Sequence, residues 1–118
     1  MPDSILLSHI RSLPAYKNLL GDPSAHPLGL PRSARLPVLA ALHEDLNQPI
    51  LLITDRADHA LSLFDELSFW MPFARRYLFA EPNPLFYEQA AWGASTRHER
   101  LRTLTALAAY HLPFVDKP

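Results

Sequence analysis

Eight residues in the first third of the chain have the spacing of a phosphate-binding loop but lack its chemical groups. Such a loop reads G-x-x-x-x-G-K-[ST]. Its backbone N–H groups surround the phosphates, its lysine reaches the β and γ phosphates, and its hydroxyl binds Mg²⁺. Here Gly29 holds the first position, whereas Ala34, Arg35 and Leu36 replace the second glycine, the lysine and the hydroxyl residue. These replacements predict a degenerate loop that does not hydrolyse nucleotide.

Three polar residues, two in this loop and one after the apolar run 50–54, have alternative roles. Arg35 is either an anion ligand, since a helix N-terminus favours negative charge, or a surface arginine paired with a neighbour. Ser33 belongs to the loop positions, and its hydroxyl is predicted to cap the helix that follows. Asp55 is a single acid after an apolar run, where Mg²⁺-binding carboxylates of nucleotide sites usually lie. We expect Asp55, or Asp58 after it, to cap the next helix.

Strands alternating with helices are expected to position these residues. The predicted helices cover residues 3–13, 14–20, 34–47, 58–71 and 96–110, the last with a capping box from Thr96 to Glu99. The predicted strands cover residues 26–30, 50–54 and 75–79. This order predicts an α/β fold: a small parallel sheet flanked by helices, of the RecA-like, phosphate-loop type. Residues 1–24 would form an amino-terminal helical arm, and residues 25–118 a partial nucleotide-fold domain.

Composition narrows the class of protein. The 118 residues are enough for one domain, and 48% of them are apolar. The net charge of −1 disfavours autonomous DNA binding, and the absence of cysteine excludes disulfides and thiol catalysis. No apolar run approaches the ~20 residues of a membrane span, and the start lacks a basic signal region. The six histidines lack the spacing of a metal site. We expect a soluble cytoplasmic protein with no metal and no catalytic residue.

A proline-rich segment before the last helix is the predicted contact surface. Its aromatic residues are Phe86, Tyr87 and Trp92. A basic run follows, and two of its members, Arg97 and Arg100, share one helical face, while the third is Arg102. Exposed aromatics beside arginines are typical of a docking surface for a protein or for DNA. The alternative is that these aromatics anchor the core or the loop.

Four segments in a fixed order resemble the amino-terminal region of the bacterial transcription-repair coupling factor. They are residues 29–42, 49–54, 58–67, and the pair 83–88 and 97–104. In that family a degenerate phosphate loop precedes a strand and a helix. The helicase (B) subunit of the bacterial excision nuclease has a similar architecture with an intact loop. This chain departs from the intact form at Ala34, Arg35 and Leu36, which favours the coupling factor.

The resemblance implies a role for the chain within a larger protein. The whole protein would be an ATP-dependent DNA translocase that displaces stalled RNA polymerase and recruits nucleotide excision repair. Its partners would be RNA polymerase, the excision nuclease A subunit and double-stranded DNA. ATP and Mg²⁺ would bind in a distant motor, so this segment would need no cofactor. It would be a non-catalytic scaffold that contacts neighbouring domains of the same chain.

Two alternatives of other classes stay open at this point. The chain would be an ATPase-domain fragment of the excision nuclease helicase B subunit if it binds or hydrolyses Mg·ATP. It would be an unrelated protein-interaction module if it only binds a partner protein and has no part in DNA repair.

Overall fold

Helices make up the regular structure of the described residues. The computed structural model describes residues 5–22, 28–81 and 93–114, and these ranges contain no β-strand. The helices are α1 (Ile5–Ser12), α2 (Pro14–Gly21), α3 (Arg32–Leu46), α4 (Ala57–Trp70) and α5 (Ala94–His111). The predicted α/β fold, with its small parallel sheet and RecA-like arrangement, is therefore wrong for the described part of the chain.

The predicted strands fail because a strand needs a hydrogen-bonding partner, which an apolar run does not supply. Residues 50–54 are irregular, and Leu51 and Ile53 are 82% and 81% exposed. Residues 28–30, the described part of the first predicted strand, include a short-range bond from the Leu30 amide to the Leu28 carbonyl. In residues 75–79 the Leu78 carbonyl lies 3.4 Å from the Thr103 hydroxyl, whose shorter acceptor is the Glu99 carbonyl at 2.9 Å.

The predicted helices are confirmed, with shifted ends. Pro14 opens α2, where its missing N–H costs little. The third helix ends at Leu46. The next residue, Asn47, has a left-handed φ of 48°, and its amide donates to the His43 carbonyl. Asparagine tolerates this conformation better than most residues do. The apolar spacing of the sequence therefore predicts where helices form better than where they begin.

The first compact unit contains residues 5–22, 28–52 and 66–72. Within it α1 packs against α3 and α2. Its buried apolar side chains are Leu7, Ile10, Tyr16, Leu36, Ala40, Ala41, Leu67 and Met71. Ala40 and Ala41 are fully buried, and small side chains at such positions let helices approach closely.

The second compact unit contains residues 53–65, 73–81 and 93–114. Its longest helix is α5, which contains no buried residue. Gly93 precedes the helix, and no side chain caps it. The predicted capping box is wrong, because α5 begins at Ala94 and Thr96 already lies in the first turn.

Candidate functional site

The degenerate loop positions form the first turns of α3. Pro31 precedes the helix, Arg32 is its first residue, and the Ala34 amide donates to the Pro31 carbonyl at 2.9 Å. Ser33 therefore lies inside the helix and does not cap it, contrary to prediction. A phosphate-binding loop instead curves around the phosphate before its helix begins. The helical start at Arg32 leaves only Gly29, Leu30 and Pro31 as non-helical residues of the motif.

The side chains at these positions point to structural roles. Leu36, which stands where the metal-binding hydroxyl would be, is only 6% exposed and belongs to the apolar core of the first unit. Arg35 is exposed, and its Nε donates to the Leu30 carbonyl at 3.4 Å. Arg35 therefore has a local partner, and its alternative role as an anion ligand stays a prediction. Gly29 and Ser33 are exposed and Ala34 is partly buried.

Asp55 forms a side-chain pair instead of the predicted cap. The Nδ1 atom of His59, one helical turn later, lies 2.8 Å from Oδ1 of Asp55. An ionised carboxylate only accepts hydrogen bonds, so the imidazole donates. This hydrogen bond holds the pKa of the Asp55 carboxyl below its ordinary value. Asp58 lies in the first turn of α4 and pairs with Arg56 at 2.8 Å.

The predicted docking surface is only partly within the described residues. Phe86, Tyr87 and Trp92 lie outside them. Arg97 is exposed on α5, whereas Arg100 is partly buried. The Arg100 guanidinium lies 3.8 Å from the centre of the Phe79 ring, and its Nη1 donates to the Ala80 carbonyl at 2.9 Å. Arg100 therefore binds Phe79 and Ala80 to α5, whereas Arg97 is exposed on the same helix. The two predicted arginines thus have different environments.

An arginine cluster in the second unit was missed by the sequence analysis. Arg75, Arg76, Tyr77 and Arg102 line a concavity of about 380 Å³. The Arg76 guanidinium lies 5.4 Å from the centre of the Phe64 ring. The sequence feature that could have indicated the cluster is the adjacent pair Arg75-Arg76, which was interpreted as part of a strand. Arg102 lies on α5, far along the chain from that pair.

A polar network in the first unit was also missed. Asp45, near the end of α3, accepts hydrogen bonds from Arg11 of α1 at 2.9 Å and from the Tyr16 hydroxyl of α2 at 2.7 Å. Arg11 also pairs with Glu44, and this hydrogen bond raises the pKa of Arg11. Burial, followed by the bond to Asp45, raises the pKa of Tyr16 well above its ordinary value. The network joins three helices and has a structural role.

Metal and membrane features can be assessed for the described ranges. Within residues 5–22, 28–81 and 93–114, no three His, Cys, Asp or Glu side chains converge in a way that could hold a metal ion. No helix in these ranges is both long enough and apolar enough to cross a bilayer. Comparisons of the chain with known protein families, curated proteins and solved structures gave no match.

Proposed function

We propose that this chain is a non-catalytic scaffold segment of a transcription-repair coupling factor acting in the cytoplasm. The whole protein would move along double-stranded DNA using ATP and Mg²⁺ in a separate motor. It would displace stalled RNA polymerase and recruit the excision nuclease through its A subunit. The segment itself would contact neighbouring domains of the same chain. This is the function that the resemblance implies, without the parallel sheet.

The observation that supports the non-catalytic role is the structure of residues 29–36. The helix begins at Arg32, so the backbone from Arg32 onward follows α3. Leu36 is buried in the core, and Arg35 is bonded to the Leu30 carbonyl. Binding of Mg·ATP here would require the first turns of α3 to unwind and Leu36 to leave the core. Both steps cost free energy that a triphosphate would have to offset without a lysine or a metal-binding hydroxyl.

Titration of the whole chain with Mg·ATP in a calorimeter tests the non-catalytic role. We expect no saturable heat up to millimolar nucleotide. A matched variant, A34G/R35K/L36T, restores the three consensus residues of the loop, and its folding is checked by circular dichroism. We expect this variant not to bind either, because the helical backbone is unchanged. Micromolar affinity or turnover by the natural chain would contradict the proposal and favour the ATPase-domain alternative.

The coupling role is tested separately in cells. Inactivating the gene that encodes this chain should abolish the faster repair of the transcribed strand after ultraviolet damage. Repair of the non-transcribed strand should be unchanged, which controls for a general loss of excision. A normal difference between the two strands in the inactivated cells would rule out a coupling factor.

A further inference from the structure

We infer that Arg75, Arg76 and Arg102 form a binding site for the phosphodiester backbone of a nucleic acid. The three arginines and Tyr77 line one concavity, of about 380 Å³, in the second unit. This site differs from the degenerate loop of α3 and from the Arg97 and Arg100 surface. It depends on the geometry of the second unit and not on membership in the coupling-factor family.

The charge of the concavity favours an anion. Three arginines line it, and the described acid that pairs with one of them is Glu99, 3.3 Å from Arg102. The Arg102 and Glu99 side chains are 55% and 39% exposed, so this is a weak surface pair. Arg102 can therefore exchange Glu99 for a stronger acceptor. Arginine presents a planar fork of N–H groups that matches phosphate oxygens.

The surroundings of Arg76 hold its guanidinium in place and leave one of its nitrogens without an acceptor among the described residues. Its guanidinium lies against the Phe64 ring, 5.4 Å from the ring centre. Its Nη1 is buried and has no hydrogen-bond acceptor in the described part of the chain. Buried donors almost always have a partner, so an orphan guanidinium nitrogen indicates that an acceptor is missing. A phosphate bound in the concavity that Arg76 lines would supply an acceptor of the kind that Nη1 lacks within the described ranges.

The lining favours a nucleic-acid backbone over a small nucleotide. Pockets for small molecules are mostly apolar, with a few polar groups that fix the ligand. Here three of the four lining residues are arginines, and the fourth, Tyr77, offers a ring on which a base or sugar can pack. Such a surface holds phosphates without reading base identity. The predicted ligand class is therefore a nucleic acid bound without sequence preference.

Fluorescence anisotropy with a labelled 20-base-pair DNA duplex and the whole chain tests this site. We expect saturable binding at low salt that weakens about tenfold in R75A/R102A. The slope of log K against log salt concentration should fall by about one per lost contact. The matched variant R32A/R35A removes the same charge from exposed positions on α3 and should bind like the natural chain. R75K/R102K, which keeps the charge, should retain most of the salt dependence.

Three outcomes would overturn the inference. One is no binding of the duplex by the natural chain at low salt. Another is equal weakening in R75A/R102A and R32A/R35A, which would indicate a general charge effect. The third is displacement of the duplex by low-millimolar inorganic phosphate at constant ionic strength, which would assign the concavity to free phosphate. Circular dichroism of each variant controls for loss of folding.

Discussion

Replacing Asp45 with alanine tests whether one carboxylate holds α1 and α2 against α3. The substitution removes the acceptor for Arg11 Nε at 2.9 Å and for the Tyr16 hydroxyl at 2.7 Å. The Arg11 and Asp45 side chains are each 26% exposed, so solvent screens their pair only in part. A hydrogen bond to a charged group contributes about 1.5–3 kcal/mol. We expect D45A to lower the free energy of unfolding by about 2–3 kcal/mol, allowing for partial solvation.

Glu44 provides the matched control on the adjacent residue. It pairs with the same arginine, but its side chain is 46% exposed. An exposed ion pair contributes roughly 0.2–1 kcal/mol, so E44A should cost correspondingly less. Urea denaturation followed by circular dichroism at 222 nm measures both variants. Equal losses in D45A and E44A would refute the argument, because the partial burial of Asp45 would then have no energetic effect.

A double-mutant cycle isolates the hydrogen bond between Tyr16 and Asp45. Y16F alone removes the hydroxyl from a side chain that is 5% exposed. We expect Y16F and D45A together to cost less than the sum of the two, with a coupling energy of about 1 kcal/mol. Strict additivity would contradict the bond that the structure shows.

Three further predictions concern Tyr16, Asp55 and Asn47. The pKa of Tyr16 is raised in the folded state, so its contribution to stability is complete below the unfolded pKa of about 10 and is lost as pH rises above it. Urea titrations between about pH 9 and 11 should show a smaller alkaline loss in Y16F. Because His59 holds the pKa of Asp55 down, H59A should raise that pKa, measurable by carboxyl ¹³C NMR; an unchanged value would contradict the pair. At Asn47, with φ 48°, N47A should lower stability by about 1 kcal/mol and N47G by less, measured by thermal unfolding.

The helices were predictable because their apolar spacing is a local property of the sequence. Leu36 and Ala40 lie one turn apart and are buried on α3, as the pattern of residues 34–47 predicts. The strands were not predictable in the same way, because a ladder depends on a partner far along the chain. Residues 75–79 end in the strand-favouring run Tyr77-Leu78-Phe79, yet the nearby Ala80 carbonyl accepts a hydrogen bond from Arg100 of α5.

The polar groups were harder to predict than the helices. Arg11 and Asp45 are separated by 34 positions, and nothing in either local segment indicates the other. Arg75 and Arg102 likewise line the same concavity only because the chain returns along α5. In contrast, the absence of phosphate-loop groups at Ala34, Arg35 and Leu36 could be predicted from the sequence, because it depends only on the residue types at consecutive positions.

Pro37 allows the first turn of α3 to open more readily than the rest of that helix. The helix begins at Arg32, so Pro37 falls in its second turn. A proline there has no N–H to donate to the carbonyl four residues earlier, which belongs to Ser33. The first turn of α3 is consequently joined to the rest of the helix by one backbone hydrogen bond fewer. Fraying of residues 32–35 can therefore proceed while Leu36, Ala40 and Ala41 stay packed, and deuterium uptake at this end should outpace uptake beyond Pro37.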